Sequence, residues 1–323
     1  MRKFVTLMLT AVLCLSISAC GGSEKKTDNE RLVIGFAQIG QESGWRDAET
    51  GDIQWYAARH TDAIELHFAD AQQKPENQIK AIRSFIDMDV DVIAFAPVIE
   101  TGWEEVLLEC QKAGIPVILV DRGIDAGIDD SLYTTMIASD HVWAGEQAAI
   151  VMEELLGGNG VVVELQGTIG ASATIQREQG FDDYIAANCP GIEIVAHQSG
   201  DFTRDKGREV MVSMLATYDH IDGVFCHNDD MALGAIEAIK EAGLKPGEDI
   251  KIISVDGVKG AFEAVLAGEL NCTVECTPLL AQQIFDTAAA LKAGQTVEKW
   301  IVSDDDIYTS DKVTQEIIDG RTY

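Results

Sequence analysis

From Leu32 onward, short and nearly continuous apolar runs alternate with longer stretches whose apolar residues recur every three or four positions. Continuous runs of this kind suit parallel strands covered on both faces, and the longer period suits helices that cover them. The spacing predicts strands over 32–37, 64–69, 92–96, 117–120, 161–165, 193–197, 223–226 and 251–255. Helical patterns lie between them over 77–88, 101–113, 142–156, 174–188, 205–218 and 231–242. Strand and helix alternating this often give an α/β protein of doubly wound parallel-sheet layers. The strands fall into two series, one ending near Thr135 and one running from Val161 to Val255, so two lobes are expected. The segment Ile137-Ala138-Ser139-Asp140 is a natural first crossing between them. Beyond Val255 the pattern predicts a strand over 271–275, a helix over 279–293, a short strand over 300–302 and a partly polar tail from Tyr308.

The N-terminus follows a different rule. Met1-Arg2-Lys3 is basic, residues 4–18 are apolar but short for a membrane span, and Ile17-Ser18-Ala19 places small residues before Cys20. That is a secretory signal with a small-residue cleavage site. A cysteine directly after the site suits a lipoprotein signal, with Cys20 as the lipidated residue. A plain secretory signal or a single anchor remain the alternatives. Residues 21–31 are polar and glycine-bearing and read as a flexible tether. About 290 residues follow, enough for two medium domains.

Charge narrows the partners. Fifty-four acidic residues face 24 basic ones, for a formal charge of −30. Nucleic acid is therefore not an expected partner. Of seven cysteines, Cys14 and Cys20 belong to the signal. Cys110, Cys189, Cys226, Cys272 and Cys276 remain, an odd number. Cys272 and Cys276 lie roughly 13 Å apart on an extended strand at about 3.3 Å per residue, too far to bridge. Buried free thiols are expected.

In open α/β sheets ligands sit beyond the carboxyl ends of the strands. Those ends carry Gln38 and Gln41 to Arg46, Asp70 to Gln73, Asp121-Arg122, Gln166-Gly167-Thr168, Asp201-Phe202, His227 to Asp230, and Asp256-Gly257. Arg177 lies a little further along. Carboxylates, amides and guanidinium forks suit the paired hydroxyls of a sugar, and Trp45 and Phe202 suit its C–H faces. Taken singly, Asp and Asn at strand ends are often helix N-caps, and Trp45 is an ordinary core residue. Their recurrence at many strand ends points to a site. No GxSxG, Walker or HExxH motif is present, so no enzyme, cofactor or metal is expected. A metal at His227, Asp229 and Asp230 is disfavoured because adjacent residues rarely face one ion. Asp121 beside Arg122 reads as a clamp rather than a base, since arginine lowers a carboxylate's pKa.

Longer blocks carry a resemblance. They include Gly40 to Arg46, Gln72-Gln73-Lys74, Glu76 to Ala81, Ala96-Pro97-Val98, Val120-Asp121-Arg122, Val163 to Thr168, Gln198 to Arg204, His227 to Met231, Glu237 to Gly247 and Asp256-Gly257-Val258. In these the chain resembles the periplasmic sugar-binding proteins of ribose-type ABC importers, of the periplasmic-binding type I fold, and within them the galactofuranose binders. The resemblance covers nearly the whole chain after the tether. It implies two lobes joined by three crossovers, with 32–139 and 277–305 in one and 140–276 and 306–323 in the other. It implies a monosaccharide, most simply a galactofuranose-like hexose, in the interlobe cleft, captured by hinge closure. Trp45, Arg46, Asp121, Arg122, Arg177, Asn228 and Asp256 fall on the family's contact positions, with Phe202 as a stacking ring and Ser43, Glu42 and Gln72 as further candidates. A monomer outside the cytoplasm is implied, served by a membrane permease and its ATPase; Cys20 departs from the freely diffusing enteric relative and suggests a tethered version. The alternative is a receptor component presenting sugar to a chemoreceptor or sensor kinase. Many ribose binders carry glutamine at the position of Cys276 and asparagine near Ala96, so ribose itself is not expected. No counterpart of the calcium loop of some glucose and galactose binders is found.

Overall fold

The computed structural model of the protein describes residues 31–125 and 127–323. The signal over 1–20, Cys20 included, and the tether lie outside the described residues, apart from Arg31. Arg31 is fastened to the fold, donating to the Ile64 carbonyl at 3.1 Å and pairing with Glu65 at 3.4 Å. Among the described residues no helix is long and apolar enough to cross a membrane.

In chain order the first lobe contains β1 (Leu32–Gln38), α1 (Gly44–Arg59), β2 (Ile64–Asp70), α2 (Pro75–Asp87), β3 (Val92–Phe95), α3 (Glu104–Ala113), β4 (Val117–Val120) and β5 (Thr135–Ala138). The second contains α4 (His141–Leu156), β6 (Asn159–Gln166), α5 (Ser172–Asn188), β7 (Gly191–Ser199), α6 (Arg204–Thr217), β8 (Gly223–Cys226), α7 (Asp229–Glu241), β9 (Lys251–Asp256), α8 (Lys259–Leu266) and β10 (Cys272–Glu275). The chain then returns to the first lobe with α9 (Ala281–Lys292) and β11 (Trp300–Val302), and to the second with β12 (Ile307–Thr309) and α10 (Gln315–Gly320).

Each lobe is built on one six-stranded sheet, ordered β11-β5-β4-β3-β1-β2 in the first and β12-β10-β9-β8-β6-β7 in the second. The first sheet is parallel throughout. The second is parallel except for β12, which runs antiparallel to β10 at the edge. The fold is thus the expected doubly wound α/β pair, and three crossovers join the lobes, after β5, β10 and β11. Apolar strands explain the cores: β3, β4 and β8 are buried at every position, and one large cluster fills the second lobe while two clusters flank the first sheet.

Several elements escape the sequence pattern. β5 and β12 are four and three residues long; β5 is held between β4 and the distant β11, and β12 against β10. The segment expected as a crossing at Ile137 and Ala138 is the end of β5, and the tail expected from Tyr308 contains β12 and α10. α8 has only eight residues. α1 buries Trp45, Arg46, Glu49, Ile53 and Ala57. Two charged residues in that inward stripe erase its amphipathic signature. The five cysteines of the two lobes are free and buried, and burial pushes the Cys110 thiol up to about 12.

Candidate functional site

The carboxyl ends of both sheets open on the interlobe cleft, as the strand-end rule requires. A narrow pocket there is lined by Glu42, Ser43, Trp45, Arg46, Asp121 and Arg122 from the first lobe and by Ala173, Arg177, Phe202, Asn228 and Asp256 from the second. Ten of the eleven candidate positions in the two lobes therefore come together. The exception is Gln72, which is exposed on the β2–α2 loop and lines no part of the pocket. Its backbone sits at φ 54° and donates to Asp70 at 2.7 Å. The polar Gln72 thus sits in a turn.

The lobes touch around this pocket. Asp230 Oδ2 accepts from the Gly44 amide at 2.7 Å, at the first turn of α1. Glu100 donates its amide to the Gly170 carbonyl at 2.8 Å, and Gly123 to Ser172 Oγ at 2.8 Å. The glycine-bearing turn at Gly167–Ser172 is thus a lobe–lobe contact. His227, Asp229 and Asp230 point to three different places: His227 to Glu164, Asp229 to Ser254 and Thr273, Asp230 to Gly44. They share no ion.

The first-lobe wall is a network of opposed charges. Arg46 pairs with Glu42 at 3.3 Å, and with Glu49 and Asp121. Arg122 pairs with Glu42 and approaches Asp121 at 3.8 Å. Burial would raise the Asp121 carboxyl, but Arg46, His141 and Arg122 outweigh it and hold it below its ordinary value. Burial raises Glu49 despite Arg46. Burial also lowers the Arg122 guanidinium, with Arg46 and Arg177 adding like-charge repulsion against the pull of Glu42. All of these side chains are nearly inaccessible, so the pairs are felt at low dielectric.

The second-lobe wall is sparser. Arg177 lies 3.5 Å from Asp256, donates to the His227 carbonyl and reaches His141 Nδ1 at 3.5 Å. Burial pushes the Asp256 carboxyl well above its ordinary value, with Arg177 only partly offsetting it. Asn228 caps α7, accepting from Met231 N at 3.0 Å, while its amide donates to the Phe202 carbonyl at 3.0 Å. Ser43 likewise caps α1. For these two residues the capping role and the wall position coexist. Trp45 is both core and wall, its indole donating to the Cys276 carbonyl. Cys276 and Ala96 lie off the wall, and the Ala96 carbonyl accepts from Gln78 at 2.6 Å.

Backbone strain concentrates at the wall. Asp121, Phe202 and Asp256 have φ of 61°, 60° and 127°. An aromatic residue in the left-handed region is held there by its surroundings. A Cβ on Gly167 would come within 2.0 Å of the Phe202 ring, so the ring lies flat on a residue without a side chain. Its other side faces the Arg122 guanidinium, 5.0 Å from the ring centre. Arg177 is placed by a similar close approach. A Cβ on Gly145 of α4 would lie 2.2 Å from the Arg177 carbonyl, so α4 and α5 meet backbone to backbone.

Sequence reasoning overlooked three residues here. Ala173 lines the pocket, and Glu49 lies behind Arg46. His141 is bonded through Nε2 to the Asp121 carbonyl at 2.9 Å and through Nδ1 to Arg177. Burial and Arg177 pull its pKa down to about 4, so it is a neutral bridge between the lobes. The only available signal was its position immediately after the first crossing.

Two features state what the pocket can hold. Its lining carries three guanidinium groups, Arg46, Arg122 and Arg177, against three carboxyl groups, Glu42, Asp121 and Asp256, a formal balance of 3 − 3 = 0. The lining groups match in number within each lobe, and Glu49, behind Arg46, adds a further buried carboxyl to the first. In addition, Arg122 Nε and Arg177 Nε are buried donors with no hydrogen-bond acceptor. Such donors are costly unless something fills them. A small, neutral molecule rich in hydroxyl groups meets both conditions.

Comparison with known proteins follows the same line. A family model described as a periplasmic binding protein domain matches residues 34–296. A galactofuranose-binding protein of Escherichia coli K12 is 47% identical over 291 residues, covering 88% of this chain and 90% of its own. The binding-protein component of an arabinose ABC transporter from Shewanella sp. ANA-3, solved with α- and β-L-arabinofuranose, superposes with a TM-score of 0.85 at 46% identity, covering 90% of this chain and 95% of that one. A protein from Mycobacterium smegmatis in complex with β-D-fucofuranose gives a TM-score of 0.83 at 45% identity, covering 87% and 92%.

Proposed function

The chain belongs to the periplasmic binding protein domain family, and on that premise we propose that it captures a neutral monosaccharide in its furanose form. The observation that carries this reading is the charge-balanced pocket with unfilled guanidinium donors on both walls. A phosphorylated or carboxylated sugar would leave an uncompensated charge in it, at a cost of several kcal/mol (~1–3 or more). Galactofuranose is the first candidate ligand, and arabinofuranose and fucofuranose are the next, since relatives with those ligands share close to half of the sequence.

In this reading Glu42, Ser43, Trp45, Arg46, Asp121 and Arg122 hold one face of the sugar. Arg177, Phe202, Asn228 and Asp256 hold the other, with the Phe202 ring against the C–H face. A ligand touching both walls favours the closed arrangement. The moving bodies are 32–139 with 277–305 and 140–276 with 306–323, hinged at the three crossovers. The family places the protein outside the cytoplasm. We further propose that lipid at Cys20 tethers it there, and that it delivers sugar to an ABC permease driven by its ATPase. Presentation to a sensor would use the same cleft and a different docking partner.

Calorimetry of the purified protein with D-galactose, L-arabinose and D-ribose tests the ligand class. Sugars that are mostly pyranose in water bind with an apparent affinity reduced by their furanose fraction. Binding of galactose or arabinose, with a five-membered ring in the cleft of a crystal of the complex, is the expected result. A pyranose in the cleft, or no heat with any monosaccharide, overturns the proposal.

A further inference from the structure

The second lobe brings together a group of side chains that the sugar pocket does not use. Glu164 of β6, Asp182 of α5 and His197 of β7 come from three elements, and one ligand atom of each lies within 4.8 Å of the others. Glu164 is fully buried. Its Oε1 meets His227 Nε2. Its Oε2 is buried without a hydrogen bond and faces His197 Nε2 at 3.4 Å. Asp182 Oδ2 lies 3.0 Å from the same imidazole nitrogen, and its Oδ1 is also buried without a hydrogen bond. The side chains of Asp182 and His197 are each 34% exposed, which leaves a path from solvent.

Two carboxyl groups from different elements converge on one imidazole nitrogen, and one oxygen of each is buried without a hydrogen bond. Buried acceptors are ordinarily satisfied. We propose that Glu164, Asp182 and His197 bind a first-row divalent cation, with Zn²⁺ the best fit. The spacing supports this ion. Zinc bonds of roughly 2.0–2.1 Å to nitrogen and oxygen place neighbouring tetrahedral ligands about 3.4 Å apart, and the two separations here are 3.4 and 3.0 Å. Calcium needs six to eight oxygen ligands, more than the group offers. A mixed nitrogen and oxygen set follows the usual affinity order, zinc above manganese. His227 supplies the outer support, since its bond to Oε1 leaves Oε2 directed at the ion.

The site joins the edge strand β7 to β6 and α5. It reaches the pocket only indirectly, through the His227 carbonyl that receives Arg177. None of its three ligands lines the pocket, so its failure would leave the furanose reading unaffected.

The test is a titration of the chelator-stripped full-length protein with Zn²⁺ alone, read by calorimetry and thermal unfolding, with Mn²⁺ and Ca²⁺ run in parallel. One Zn²⁺ per chain with a higher unfolding midpoint, weaker Mn²⁺ binding and no Ca²⁺ binding are expected. His197→Ala and Asp182→Asn sit at the rim, where folding is least at risk, and each should weaken Zn²⁺ at least 10-fold. His220→Ala, at an exposed histidine elsewhere, should not. No saturable Zn²⁺ binding, or equal binding by all three variants, overturns the proposal.

Discussion

The two walls of the pocket solve the same charge problem differently. In the first lobe, two arginines and three carboxyl groups interlock, and Arg46 alone meets Glu42, Glu49 and Asp121. In the second, one arginine faces one carboxyl at 3.5 Å, and the other bonds of Arg177 go to His227 and His141. The charged groups of the first wall find most of their partners within their own lobe. The second holds a carboxyl with one long partner, pushed up by burial, so its groups gain most from a ligand. The two walls thus differ in how many of their charges are paired without a ligand.

Asp121→Ala tests the first half of this contrast most severely. It leaves Arg46 with Glu42 and Glu49 but removes a member of a buried network, where a broken pair costs about 3–5 kcal/mol. Both folding stability, by denaturant titration, and sugar affinity should fall. Asp256→Ala should separate the two readouts: affinity drops by about 10–100-fold, as for loss of a charge-assisted hydrogen bond of roughly 1.5–3 kcal/mol, while stability changes little. If Asp256→Ala unfolds the protein as readily as Asp121→Ala, the distinction between the walls is lost.

The bridge between the walls has its own signature. The folded pKa of His141 lies near 4, against 6.5 ordinarily. The unfolded chain therefore binds more protons than the folded one between those values. Stability contributed by the neutral imidazole is complete above pH 6.5 and is lost as pH falls toward 4. At 1.36 kcal/mol per unit the loss is about 1–3 kcal/mol. Unfolding midpoints at pH 7 and pH 4.5 should differ less in His141→Gln than in the wild type. The smallest effect is expected at the latch. Asp230→Ala removes the bond to the Gly44 amide across the lobes, worth about 0.5–1.5 kcal/mol, and should speed sugar release several-fold in stopped-flow measurements without altering stability.

Much of this was legible beforehand. The apolar runs at β3, β4, β8 and β9 marked both sheets, because strands buried on two faces admit little else. Asp121, Arg122, Phe202, Asn228 and Asp256 were legible as lining the cleft because a strand's carboxyl end is a fixed address in this architecture. Gln72, at a strand end by the same rule, sits in the turn after β2 and does not line the pocket. α1 was obscured because its inward face carries Arg46 and Glu49. β5 and β12 were hidden because strands this short carry too few residues for a pattern, and β12 owes its place at the sheet edge to pairing with β10.

The sequence by itself determined the fold class, the two lobes and the polar character of the cleft, for hydrophobic periodicity and strand-end chemistry are local properties. Only the tertiary structure decided how the charges pair. Arg46 and Asp121 are 75 residues apart, His141 and Arg177 are 36 apart, and Glu164, Asp182 and His197 sit on three elements. Pairing at low dielectric depends on distance and burial, and no pattern along the chain encodes these until the sheets, the helices and the glycine contacts between them bring the side chains together.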